Sequence, residues 1–301
     1  MAELSYVTQF LPRIIAMYGH LLTSDELYQS NQDINIINTK DIRLPKITVS
    51  GYKDHDRKSL TFNTGTYGND WETKTLDHDR DIELAIDPMD VDETNQIASI
   101  GNFQVRFEKT QAIPELDCYT FSKLYAEAKR VSATIKNDAL TTTNILSDFD
   151  TNIEAMEEAG VPLERVIMYC TPKMKTLLKN AEGIQRTLEI SGGTKGIDRR
   201  VRSLDDISKI KTVPSARLKT AYDFTEGYTV AASGKQINYI LIDPEAQVSR
   251  VKYSYIKVFT PGHDSRTADK YLYQNRRFNG TFALLDEVLK QGCIINAEAE
   301  A

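Results

Sequence analysis

The chain has 301 residues, 41% of them hydrophobic and 27% charged, with a formal net charge of −6. That length holds one large domain or two ordinary ones with a sizeable core, and the composition excludes global disorder. No apolar run approaches the ~20 residues of a membrane helix, and the early acid Glu3, with no basic region, excludes a secretory signal.

The charge is unevenly placed. Residues 77–93 hold eight acids (Asp77, Asp79, Asp81, Glu83, Asp87, Asp90, Asp92, Glu93) against one base, Arg80, so the rest of the chain is nearly neutral. No basic patch with a groove-reading motif is present, which excludes a sequence-specific DNA reader. Arg199, Arg200, Arg202, Lys209, Lys211, Arg217 and Lys219 make a mild basic excess over 198–219. It reads as a solvated face or a subunit contact. Cys118, Cys170 and Cys293 are odd in number and far apart, as expected of reduced, mostly buried thiols in a cytosolic product.

In chain order, residues 1–42 show no core of their own beyond a short helix after Pro12 (Leu11, Ile14, Ile15, Leu21), and read as an arm ordered against a neighbour. Residues 46–50, 71–76 and 81–86 alternate like strands. The Gly-punctuated polar stretch between the first two makes a long two-stranded excursion with a flexible tip. Such a hairpin is marginal alone and exposes edges that invite pairing. Asp90 and Glu93 have capping-box spacing. Ile97, Ile100, Phe103 and Phe107, then Phe121, Leu124, Tyr125 and Ala128, give a long helix or kinked pair over about 91–130, interrupted at Pro114. Residues 144–159 form an amphipathic helix and 165–170 a buried strand. Thr171-Pro172 caps a further helix, and 208–213 and 237–242 are strands. This alternation is an α/β unit. Two β-rich segments, 250–259 and 271–285, and a short tail follow.

Candidate chemistry is sparse. The 77–93 carboxylates offer oxygen ligands to a divalent cation, but acids two apart on a strand are more often solvated or paired with bases of another chain. The Gly-rich Ser191–Gly196 stretch lacks phosphate-loop order. His20, His55, His78 and His263 are scattered, and no nucleophile motif accompanies Asp77-His78-Asp79. Tyr253, Tyr255, Phe259, Tyr271 and Tyr273 read as sheet packing. No catalytic, cofactor-binding or metal-ligating residue is assigned, and the chain is read as a non-enzyme.

The passage Arg80–Asn95, the helix carrying Phe107 and Lys109, Ile113-Pro114-Glu115-Leu116-Asp117, Arg165–Pro172 and Ile210–Arg217 together resemble the major capsid proteins of tailed double-stranded DNA bacteriophages. The resemblance covers about 45–220 and is weaker beyond. It implies an α+β, Hong Kong phage-type capsid fold: an N-terminal arm (1–42), an extended β-hairpin E-loop (43–86), a peripheral domain with a spine helix (87–138), an axial α/β domain (139–247), and C-terminal strands and tail returning to the peripheral domain (248–301). It further implies a virion shell subunit, assembled in the host cytoplasm. Its partners would be itself in pentamers and hexamers, a separate scaffolding protein, a portal protein and decoration proteins, around non-specifically enclosed DNA. No Lys–Asn cross-linking pair can be matched. Arg57, Lys58, Trp71, Asp79, Arg80, Asp81, Arg199, Arg200, Arg276 and Arg277 are the candidate subunit-interface residues, with the arginines of an adjacent subunit expected opposite the acidic strip. The alternatives are an encapsulin-like nanocompartment shell and, in another class, a metal-dependent enzyme using the 77–93 carboxylates.

Overall fold

A computed structural model of the chain describes residues 22–31, 41–55, 62–93, 100–181, 207–262 and 269–299. The α/β unit is built on a five-stranded sheet of β4 (Thr134–Lys136), β5 (Ile167–Cys170), β6 (Lys209–Thr212), β9 (Ile237–Ile242) and β12 (Cys293–Ala297), in the spatial order β4-β12-β9-β5-β6. The near-continuous apolar runs of β5, β9 and β12 follow from burial on both faces. Tyr169, Ile240, Ile242 and Ile295 face a core containing Phe121, Leu124 and Leu289. Met168, Cys170, Tyr239 and Leu241 face α5 (Ile145–Glu158) and α6 (Pro172–Asn180), through Phe149, Met156, Met174 and Leu178. The Thr171 hydroxyl caps α6 by accepting from the Met174 N–H, with Pro172 in the first turn. The three cysteines are free and buried. The segment expected as a tail supplies β12, which lies between β4 and β9 and corrects the expectation that 248–301 returns wholly to the peripheral part.

The peripheral part is a three-stranded antiparallel sheet, β10 (Gln247–Phe259), β11 (Tyr271–Ala283) and β3 (His78–Ile86), in that order. After β3 comes α2 (Pro88–Glu93). It starts two residues before the expected cap, Asp90, because the Asp87 carboxylate accepts from the Met89 N–H and Pro88 takes the first position. A long helix then runs from α3 (Ile100–Phe107) through a π segment (Glu108–Ala112) into α4 (Ile113–Arg130). At 1.5 Å per residue it spans roughly 45 Å.

Pro114 does not break this helix. Proline has no N–H for the Thr110 carbonyl. The preceding turn widens, so that the Ile113 N–H bonds the Glu108 carbonyl five residues back. The Tyr228 hydroxyl, from the small hairpin of β7 (Tyr222–Asp223) and β8 (Thr229–Val230), donates to the Thr110 carbonyl at 3.1 Å.

Residues 22–31 dock on the body of their own chain, which corrects, for this part of 1–42, the reading of an arm ordered only against a neighbour. Helix α1 (Asp25–Gln29) buries Leu27 completely. The fully buried Asp117 of α4 accepts from the backbone and hydroxyls of Thr23 and Ser24 at 2.8–3.2 Å and from Arg217 at 3.1 Å. Lys211 bridges Asp25 and Glu26. Removing one side of a buried ionic network costs about 3–5 kcal/mol. Asp117→Ala is therefore expected to lower unfolding stability in urea by about that much, while Thr23→Ala costs about 1 kcal/mol. A loss under 1 kcal/mol for Asp117→Ala contradicts the assignment.

Candidate assembly surfaces

Strands β1 (Asp41–Val49) and β2 (Tyr67–Thr75) pair antiparallel and form a sheet of their own. Alternation divides their side chains between two faces. The face turned to the subunit carries Leu44, Lys46, Glu72 and Lys74, with Leu44 and Lys74 buried. The other face exposes large apolar side chains among polar ones such as Asn69 and Thr73: Ile47 is 71% exposed, Val49 76%, Tyr67 85% and Trp71 54%. In register, Val49 lies opposite Tyr67 and Ile47 opposite Asn69. Beyond the strands, Tyr52 and Phe62 are also exposed. The usual amphipathic rule is inverted, and an apolar patch held open in this way marks an interaction surface.

The acidic strip lies on the outer face of the three-stranded sheet. There Asp79, Asp81 and Glu83 stand beside Phe278, Arg276 and Gln274 of β11, which in turn stand beside Tyr253, Tyr255 and Lys257 of β10. Arg276 donates to both oxygens of Asp79, at 3.0 and 2.6 Å, and its guanidinium lies 5.9 Å from the Tyr253 ring. Tyr253 and Tyr255 stack at 6.5 Å. The arginine expected from an adjacent subunit is, for Asp79, supplied by the same chain, because β11 lies beside β3. Asp77, expected on the same face, turns instead to α4, accepting from the Tyr119 hydroxyl and Lys123 at 2.5 Å each. Burial alone would raise the Asp77 carboxyl, and these two hydrogen bonds outweigh it to give a net lowering.

The inner face carries Arg80 directly opposite Arg277. Like charges in such register repel, and the long helix answers them. Glu115 takes Arg80 at 2.8 Å, and the fully buried Glu108 lies 3.9 Å from Arg277 while accepting from Tyr273 and Asn275. Arg80, Glu115, Asn275 and Arg277 border a cleft of about 560 Å³. Arg57, Lys58, Arg199 and Arg200, with Arg202, lie outside the described residues. Among the described residues no group of three or more His, Cys, Asp or Glu side chains is placed to hold a metal ion, and no helix is long and apolar enough to cross a membrane.

Sequence reasoning named Trp71 but missed Ile47, Val49, Tyr67 and the Asp117 network. Alternation in 46–50 was a signal for the hairpin face, since it separates Ile47 and Val49 from Lys46 and Thr48.

Comparison with solved structures agrees with this architecture. A chain from Mycobacterium phage Che8 superposes with a TM-score of 0.62 at 11% identity, covering 92% of this chain and 90% of that one. The mature capsid of bacteriophage PhiM1 gives a TM-score of 0.65 at 12% identity, covering 87% and 83%. The capsid of cyanophage P-SCSP1u gives 0.62 at 15% identity, covering 89% and 86%. No protein-family model matches the chain, and no curated protein does. The chain has the Hong Kong phage-type capsid fold.

The Arg276 hydrogen bonds, and secondarily its charge, hold the Asp79 carboxyl below its ordinary range. The pair therefore contributes above an unfolded pKa of about 3.9 and is lost as pH falls through the lower folded value. Arg276→Ala is expected to raise the Asp79 midpoint toward about 3.9 in carboxyl NMR of the isolated subunit. An unchanged midpoint contradicts pairing within one chain.

Proposed function

We propose that this chain is the major capsid protein of a tailed double-stranded DNA phage, the repeated subunit of its icosahedral head shell. The observation that carries this reading is the hairpin face on which Ile47, Val49, Tyr67 and Trp71 stand exposed, while Lys46, Glu72 and Lys74 of the same strands lie on the opposite face. Fully burying one such side chain is worth about 1.5–3 kcal/mol. An exposed ion pair is worth about 0–1 kcal/mol. Covering this face with a second copy therefore outweighs any single ion pair of the acidic strip. The capsid folds it resembles support the same reading.

In this reading 43–86 is the E-loop, and 87–138 the peripheral domain with its spine helix, completed by the strands of 248–301 that precede β12. Residues 139–247 are the axial domain, with β4 and β12 joining its sheet. The partners are further copies in pentamers and hexamers, a separate scaffolding protein and a portal. The shell belongs to the virion, is assembled in the host cytoplasm, and encloses DNA without gripping its sequence. A near-neutral subunit with an acidic strip suits that task, since phosphate contacts dominate DNA binding.

The test is electron microscopy and sedimentation of the expressed protein, with Val49→Asp and Trp71→Ala as variants. Closed shells, or rings of five and six, are expected of the parent. The variants are expected to keep subunit stability within about 0.5 kcal/mol and to lower particle yield by about tenfold or more, the effect of about 1.4 kcal/mol per contact. Monomer alone at micromolar concentration, with and without scaffold, overturns the reading. Particles filled with protein cargo instead of nucleic acid in infected cells favour a nanocompartment.

A further inference from the structure

Among the described residues the hairpin has no backbone ladder to the rest of the chain. Strands β2 and β3 belong to different sheets, and only Leu76 and Asp77 join them. The corner has one tight apolar pivot. Leu76 is fully buried beside Leu44, Val248 and Phe282, and it crosses Gly280 so closely that an added Cβ would lie 2.1 Å from the leucine side chain.

Beside this apolar contact, in which Leu44 of β1 takes part, the hairpin root is held by polar contacts, and many of these land on one stripe of α4. Tyr119 and Lys123 donate to Asp77. His78 stacks on Tyr119 at 4.0 Å, and its Nε2 lies 3.5 Å from Glu115. On the far side, Lys74 reaches Asp286 at 2.5 Å and Glu72 at 3.0 Å, and Arg130 reaches the same Asp286 at 2.6 Å. Residues 115, 119, 123 and 130 fall within an arc of about 80° at 100° per residue.

We infer that this polar stripe is a clamp that sets the angle of the hairpin, and that it can be loosened by salt or by charge substitution while the subunit stays folded. A pivot with polar stops on two sides is an adjustable arm. Apart from the buried Lys74, the stops are partly exposed: the Lys123 and Asp77 side chains are 26% and 44% exposed, and Asp286 is 34% exposed. Such pairs contribute about 0–1 kcal/mol each and weaken with ionic strength, whereas the Leu76 pivot does not. The Arg130 and Lys74 hydrogen bonds keep the Asp286 carboxyl below its ordinary range, so it stays charged at neutral pH. The clamp stands on the geometry alone. Its use, presenting the hairpin at the angles that pentamers and hexamers need, rests on the capsid reading.

The experiment places spin labels at Lys53→Cys and Glu154→Cys in unassembled subunits and reads their distance distribution by pulsed electron resonance. The native cysteines are buried, which directs labelling to the new ones. A single narrow distance is expected in low salt. It is expected to broaden or shift in molar salt, in Lys74→Ala with Lys123→Ala, and in Asp286→Asn, with circular dichroism unchanged. Lys136→Ala, which removes a pair to Asp148 away from the hairpin, is expected to leave it narrow. A distribution that stays narrow in the double variant and in molar salt overturns the clamp. Should the double variant fail to fold, the salt series on the parent decides. Because the distances are read without assembly, loss of the clamp and loss of the capsid reading are separate outcomes.

Discussion

A buried carboxylate on the long helix organises this fold. Asp117 is fully buried, and an isolated charge there would cost far more than any single contact returns. It is tolerated because Thr23, Ser24 and Arg217 surround it with donors from two other parts of the chain. Satisfying one charge thus fixes the N-terminal segment and the loop after β6 against the same helix. The Tyr228 hydroxyl adds a second tie, at the carbonyl that Pro114 leaves without a donor. The helix becomes the common support of both sheets.

With that support in place, the hairpin stands out as the part whose chemistry the single subunit does not complete. Its inward face is partly charged and paired through Lys74, Glu72 and Lys46, and its outward face is apolar and open. The outer face of the three-stranded sheet differs, since Asp79 already has Arg276. Asp79 and Asp77 are therefore answered within one chain, whereas the exposed apolar side chains of the hairpin are not.

Much of the architecture was legible in the sequence. The run Ile237–Ile242 matched its strand at both ends, and Thr171-Pro172 marked its helix, because continuous apolar runs and local caps are short-range signals. Three features were not legible, each for a physical reason. Alternation in β1 and β2 divides side chains between faces without saying which face meets solvent, and Ile47 and Val49 face the opposite way from a monomer's pattern. The π turn before Pro114 frees a carbonyl that is met by a hydroxyl more than a hundred residues away. The short run Cys293–Ala297 looks like a tail until β4 and β9 are placed beside it, since strand pairing is non-local.

The central claim is that the hairpin's open face is buried by a second copy on assembly. Hydrogen exchange of residues 44–49 and 67–75, compared between free subunits and purified particles, tests it most directly. The account predicts strong new protection in both strands of the particle, with the five-stranded sheet protected equally in both states. Equal exchange of the hairpin in free and assembled protein would contradict it.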